Sequence, residues 1–372
     1  MAKKQQAKVV IRIGEPISQD VFSTESGVLV VRKGTIITRE MLTRLANWIV
    51  EEEERIPVER EKRVVSAGNN EAILRKLDFE EVVSEKTREE VEKNAGALFS
   101  SLGKNDDKID MAGLEDAIAL MVSEAPDNPD VPLKLFEMKQ RASQIHKHSV
   151  NCSIIASFIA KALNYPPREA VEFSLSMMLH DIGVLSFPQE LLELKRHLTK
   201  EDWDLIKQHP ARGWEMLKRV PGIEPMTQMV VLGHHVKADG LGYPIEIDFH
   251  DLPPQAHLAL IINHFENLTS SRPDRKAYIS HDAIKILLAN RSKYHPSALE
   301  SFVRVVGFFP ISTFVRLNSN EIGVVVRNNP DNLFLPEVKL VIDPAGAHYS
   351  KEIIVNLLNE PDRKIMNVET TV

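Results

Sequence analysis

The chain has 372 residues, 43% hydrophobic and 27% charged; this excludes a disordered or fibrous protein and, at roughly 100 to 200 residues per domain, points to two or three domains. A net charge of −7 excludes a surface that coats nucleic acid polymers, so an anionic ligand has to be held by a local basic or metal site. One cysteine, Cys152, excludes an intrachain disulfide; with no apolar run near the roughly 18 residues of a membrane span and no apolar core behind the basic, polar start, a cytoplasmic protein is expected.

In chain order, residues 1–65 read as a small α+β accessory module. Residues 9–13 and 28–31 are β-rich runs separated by turn chemistry at Ser23 to Gly27, and Thr38 opens an amphipathic helix through Leu42, Leu45 and Ile49. The charged stretch that follows, Glu51 to Glu54 and Arg60 to Arg63, reads as a solvated boundary. Residues 66–130 form a helical connecting region of two or three helices, with Leu114, Ile118 and Met121 at helical spacing.

Residues 131–308 carry the longest helical pattern. It runs from Pro132 through Met138, Ile145, Cys152 and Ala160, and a second helix leads from Pro166 to His180-Asp181, where Gly183 stops it. Thr199, with Asp202 three positions on, starts a helix expected to carry Trp203, Ile206 and His209. An apolar segment, residues 226–232, ends at His234 and His235, before the loop Asp239-Gly240-Leu241-Gly242-Tyr243-Pro244. Helices resume near Gln255, Asp282 and Ser297. Residues 309–372 form a short β-rich extension: strands at 314–317 and 322–326 flank the turn Asn318-Ser319-Asn320, and 338–342 adds a third. The fold class is mainly α.

The distribution of histidines carries the chemistry. His148, His180, His209, His234 and His235 fall at or near helix ends within a hundred positions, with Asp181 beside one of them. Imidazoles supply nitrogen ligands, and one aspartate can give an oxygen to each of two cations, which is the composition of a di-metal hydrolase site. Singly, any of these residues is more often an ordinary capped or core histidine.

The ordered series resembles the HD-GYP family of the HD phosphohydrolase superfamily. It comprises His148-Ser149-Val150-Asn151, His180-Asp181-Ile182-Gly183, Leu198-Thr199 with His209-Pro210-Ala211-Arg212-Gly213, and His234-His235 leading to Gly242-Tyr243-Pro244. It continues through Leu268-Thr269-Ser270-Ser271-Arg272-Pro273 to Gly307-Phe308-Phe309-Pro310. The pair His281-Asp282 lacks these companions and is read as a helix start.

The resemblance implies an HD-type helical bundle holding two divalent metal ions, iron or manganese, that hydrolyses cyclic di-GMP to pGpG or GMP. Two cations would lower the pKa of a shared water, so that a bridging hydroxide is available, and would neutralise charge on the phosphoryl oxygens. By position, His148 and His180 match one metal's ligands, Asp181 the bridging and catalytic carboxylate, and His209, His234 and His235 the other's ligands. Asn263 stands at a further ligand position, with His264 and Glu266 close enough in sequence to take its place, and Arg272, Arg275 and Tyr243 stand at substrate contacts. The Gly-Tyr-Pro loop is also a family site for protein partners, and the N-terminal module is expected to regulate or to form a homodimer.

Three departures from the family pattern bear on activity. Val184 replaces a lysine that would face phosphate, Asn263 replaces an aspartate ligand and so removes a charge, and Gln144 replaces a glutamate of members with three metals. Two alternatives stay open: a catalytically impaired relative that senses cyclic di-GMP or docks on signalling proteins, and an HD hydrolase of another phosphoester.

Overall fold

The computed structural model describes residues 21–22, 29–31, 73–74, 83–103, 111–126, 144–188, 191, 199–271 and 277–369. The chain divides into two compact units, Met1–Lys62 with Ala289–Arg291, and Arg63–Leu288 with Ser292–Val372. In the first unit β1 (Val21–Phe22) pairs antiparallel with β2 (Leu29–Val31). The strand expected at 9–13 and the helix expected from Thr38 lie outside the described residues.

The second unit is a helical bundle followed by a sheet. Its helices are α1 (Glu85–Gly103), α2 (Ala112–Glu124), α3 (Gln144–Ala162), α4 (Pro167–Leu179), α5 (Lys200–Ile206), α6 (His209–Leu217), α7 (Pro225–Gly233), α8 (Pro254–Thr269), α9 (Ser280–Ala289) and α10 (Pro296–Val306). Proline opens α4, α7, α8 and α10 within their first two positions. The amide hydrogen it lacks would have had no helical partner there, and its fixed φ suits the first turn.

On α2 the buried side chains are Leu114, Ala117, Ile118, Met121 and Val122, one stripe at helical spacing. By contrast α8 is buried without a break from Ala256 to Asn263, and again at Phe265 and Glu266. A helix apolar on every side belongs at the centre of a bundle, and α8 packs against α3, α7 and α10. Burial there forces any polar group on α8 to find an internal partner.

The structure corrects the expectation for His209. The Thr199 capping box forms, with Asp202 N–H donating to Thr199 Oγ1 at 3.2 Å and Thr199 N–H to Asp202 Oδ2 at 2.7 Å. The helix it starts, however, ends at Ile206, and His209 begins α6. Pro210 is the cause: its ring has no amide hydrogen to continue the ladder. The pattern from Pro132 is described only from Gln144 onward, and of Gln144 the side chain lies outside the described residues.

After α10, Gly307 takes φ +90° and ends the helix. The C-terminal sheet has two strands beyond the three expected: β3 (Phe314–Leu317), β4 (Ile322–Arg327), β5 (Glu337–Ile342), β6 (Ile354–Asn356) and β7 (Ile365–Glu369), in the antiparallel order β6-β5-β4-β3-β7. The extra strands are short, and Ile354 and Met366 on them are exposed, so neither shows the buried alternation by which a strand is read from sequence. Val315, Val324, Val325, Val338, Leu340 and Val355 form the sheet's own core.

Candidate metal centre

Three helix ends deliver three histidines by one device. Terminal turns leave carbonyls without helical partners. His180, just past α4, bonds through Nδ1 to the carbonyl of Met177 at 2.7 Å; His234, just past α7, bonds to that of Val231 at 2.8 Å. His209 does the same with Ile206 at 2.8 Å, a carbonyl left free because Pro210 has no hydrogen for it. In each case Nδ1 must be the donor, so the ring's lone pair sits on Nε2.

His148 is different. It lies inside α3, where the preceding carbonyls serve the helix itself. Its Nδ1 meets instead the carboxylate of Glu266 on α8 in a short charged contact.

The four Nε2 atoms converge on Asp181. Oδ2 faces one pair, 3.6 Å from His148 and 3.5 Å from His180, and those two nitrogens are 3.2 Å apart. Oδ1 faces the other pair, 3.2 Å from His209 and 3.4 Å from His234, whose nitrogens are 3.0 Å apart. His235 joins the second group, its ring 4.4 Å from that of His234 and 5.1 Å from that of His209. Neighbouring ligand atoms about 2.1 Å from a shared ion lie about 3.0 to 3.4 Å apart, so the spacing fits one cation on each side of Asp181. Without a positive charge between them, lone pairs would oppose one another in a buried place.

Electrostatics agree with that fit at three of the rings, and at His148 a cation would have to displace a proton. Burial is the largest influence on His180, His234 and His235 and lowers all three below the ordinary histidine value, His180 to about 3. Neutral rings are what metal ligation needs. Burial would raise the Asp181 carboxyl, but His180 and hydrogen bonds from His209 and His234 hold it well below the usual range. For His148 burial works against charge, yet Cys152 and Glu266 raise it well above the ordinary value. Of these the Glu266 carboxylate is the partner that counts near neutral pH, because burial pushes the Cys152 thiol up to about 11, leaving it uncharged. Asp181 is 21% exposed whereas the rings of His180 and His234 are fully buried, so solvent and ligands reach the centre from the carboxylate side.

Gly183 holds the two halves together. A methyl group there would overlap the carbonyl oxygen of His209 and lie 2.5 Å from the amide nitrogen of Gly213. Only glycine lets the 3-10 turn Ile182–Ser186 rest on the start of α6. The loop after His235 closes back in a similar way: Tyr243 N–H donates to His235 O at 3.2 Å and the Tyr243 ring stacks on His235 at 4.5 Å.

The other expected residues divide. Val184 is half-buried on the 3-10 turn and brings no charge. Asn263 is buried on α8, with its Oδ1 accepting from Asn267 Nδ2 at 2.6 Å. Arg272 and Arg275 lie outside the described residues. His264 bonds to the Tyr294 hydroxyl at 2.9 Å, and His281 opens α9 and bonds to Phe308 O at 2.9 Å. Cys152, outside the expected ligand set, groups with His148 and His180, and Glu266, expected only as a stand-in for Asn263, meets His148 instead. Their signal in the sequence was local, since Cys152 lies one helical turn from His148 and Glu266 three residues after Asn263; no spacing rule couples α3 to α8.

Comparison with known proteins follows the same segments. A family model described as "HD domain" matches residues 131–298, and one described as "KOW domain associated with HD domain" matches 314–371. The chain is similar to cyclic di-GMP phosphodiesterase PA4108 of Pseudomonas aeruginosa, 28% identical over 232 residues, 62% of this chain and 56% of the relative. It is also similar to cyclic di-GMP phosphodiesterase response regulator RpfG of Xanthomonas campestris, 27% identical over 41% of each chain. Among solved structures, the HDG"Y"P protein Bd1817 from Bdellovibrio bacteriovorus aligns with 19% identity over 78% of this chain and 95% of its own, at a TM-score of 0.48. The matches span about half the length of these curated relatives or less.

Proposed function

We propose, on the premise that the chain belongs to the HD-GYP family of HD-domain proteins, that the cluster around Asp181 is a two-cation centre that hydrolyses cyclic di-GMP to pGpG or GMP. The observation that carries this reading is the convergence of four Nε2 lone pairs on the two oxygens of one carboxylate. His148, His180 and Asp181 Oδ2 would hold one divalent ion, iron or manganese, with Asn263 as a neutral further ligand. Asp181 Oδ1, His209, His234 and His235 would hold the other. When bound, such ions lower the pKa of water and neutralise charge that builds on phosphoryl oxygens.

The chain's own groups do the rest. Backbone carbonyls of Met177, Ile206 and Val231 fix the ring orientations, so that little reorganisation accompanies binding. Asp181, ionised and partly exposed, marks the face on which a phosphodiester is received. Tyr243, stacked on His235, presents an aromatic edge beside it, and Arg272 and Arg275 supply guanidinium forks to the phosphates. In this reading residues 1–65 are an accessory, dimer-forming or regulatory module, 66–130 a helical connection, 131–308 the catalytic domain and 309–372 the β extension. The protein works in the cytoplasm; among the described residues no helix is long and apolar enough to cross a membrane.

Turnover of cyclic di-GMP by Mn²⁺- or Fe²⁺-loaded protein, followed by chromatography of pGpG and GMP, tests the proposal. Absence of both products beside an active control enzyme refutes it. The second reading, a cyclic di-GMP sensor without turnover, is favoured by the uncharged Val184 and Asn263. Calorimetry separates the two: a sensor binds the nucleotide and leaves it intact.

A further inference from the structure

Glu266 takes no part in the ligand set above, yet it is 4% exposed, on a helix buried on nearly every side, and the polar groups around its carboxylate gather beside His148. Oε1 accepts from Asn151 Nδ2 at 2.8 Å and from Ser270 Oγ at 2.5 Å. Oε2 meets Nδ1 of His148. His180, His209 and His234 each obtain an Nδ1 acceptor from a carbonyl freed at a helix end. His148 cannot, because it sits within a continuing helix. A partner from another helix is therefore required, and α8 supplies one with a full negative charge.

We propose that Glu266 is a positioning residue for His148: it commits the ring's proton to Nδ1, aims the Nε2 lone pair at the ion site, and supplies to that half of the centre the negative charge that Asn263 does not. The proposal rests on the two-cation reading above and adds to it a residue and a charge source. A carboxylate behind a histidine ligand raises the ring's donor strength, and removing such a partner typically weakens metal binding about 10- to 100-fold.

The hydrogen bonds at Oε1 make the test sharp. In Glu266→Gln, Asn151 and Ser270 both still donate to that position, which therefore keeps the amide oxygen. The amide nitrogen must then face His148 and donate to Nδ1. The ring is driven into the opposite tautomer, with a hydrogen on Nε2 where the lone pair had been. The change is isosteric and leaves His209, His234 and His235 untouched.

The full chain, wild type and Glu266→Gln, is titrated with Zn²⁺ against a chelator, its bound metal counted by mass spectrometry. Long-range ¹H–¹⁵N NMR of the Zn²⁺-loaded wild type reads the His148 tautomer. The expected result is two ions in the wild type, one of them weakened about 10- to 100-fold in the variant, and a His148 hydrogen on Nδ1. Unchanged affinity for both ions in the variant overturns this inference and leaves the two-cation reading standing. A wild-type chain that holds no ion overturns both. Should the variant fail to fold, the wild-type spectrum decides alone, since a His148 hydrogen found on Nε2 overturns the assignment.

Discussion

Gly183→Ala probes how closely the fold itself sets the spacing of the centre. The added methyl would lie 2.5 Å from Gly213 N and 2.9 Å from the His209 carbonyl carbon, where ordinary contact needs about 3.5 Å. Both neighbours are backbone and cannot rotate aside, so the 3-10 turn and α6 have to part by about 1 Å. Overpacking of this kind costs about 3 kcal/mol or somewhat more, a large share of a total stability of about 5–15 kcal/mol. Asp181 rides on one side of that contact and His209 on the other. Their present 3.2 Å separation would open to about 4 Å, too far for two ligands of one small ion. Urea unfolding with metal removed should show the loss of stability, and metal counting should show a depleted second ion. Gly96→Ala on α1, where a methyl meets nothing within 4 Å, is the control and should stabilise by about 0.5–1 kcal/mol. If Gly183→Ala melts like the wild type and keeps two ions, close approach of the two backbones is not what places His209.

Asp181→Asn should abolish retention of at least one ion and lower turnover at least about 100-fold, because the amide removes the charge that both imidazole pairs face; metal analysis and product chromatography read the two effects. Thr199→Ala removes the hydroxyl that accepts from Asp202 N–H in the α5 capping box and should cost about 1 kcal/mol in urea unfolding, with ion binding nearly unchanged since His209 is anchored separately at Ile206. His257, stacked on His295 and packed on Phe249 with its Nδ1 unbonded, is lowered to about 4 by burial, then by His295 and His250. Its contribution is whole above about pH 6.5, where folded and unfolded chains both carry it neutral, and is lost as pH falls toward 4, because only the unfolded chain takes up the proton there. His257→Phe should therefore flatten the acid side of the stability profile by at most about 3 kcal/mol, measured by urea unfolding of metal-free protein at pH 4.5 and 7; an unchanged slope would rule that group out.

Much of the candidate centre was legible in the linear text because its histidines sit at punctuation. His180 precedes Gly183, His209 precedes Pro210, and His234 ends an apolar run. Residues that stop a helix also free the carbonyl that turns the neighbouring ring, so local chemistry and function share one signal. The same locality explains where structure and sequence pattern part. The Thr199 capping box forms as its spacing predicts, but apolar periodicity runs on through Ile206 to His209 and does not register the break that Pro210 imposes. Strands β6 and β7 leave no mark in the sequence because short edge strands with exposed apolar residues carry no alternation.

The sequence by itself determined the mainly helical class, the order of the motifs and the identity of the six groups around the centre, since each follows from residue type and spacing along one segment. Tertiary structure alone decided that Oδ1 and Oδ2 of Asp181 face different histidine pairs, and that the buried carboxylate of Glu266 on α8 stands behind His148 on α3. Those relations join residues up to 118 positions apart. They are fixed by which helices pack on α8, and packing depends on the shapes of whole surfaces rather than on any spacing within one of them.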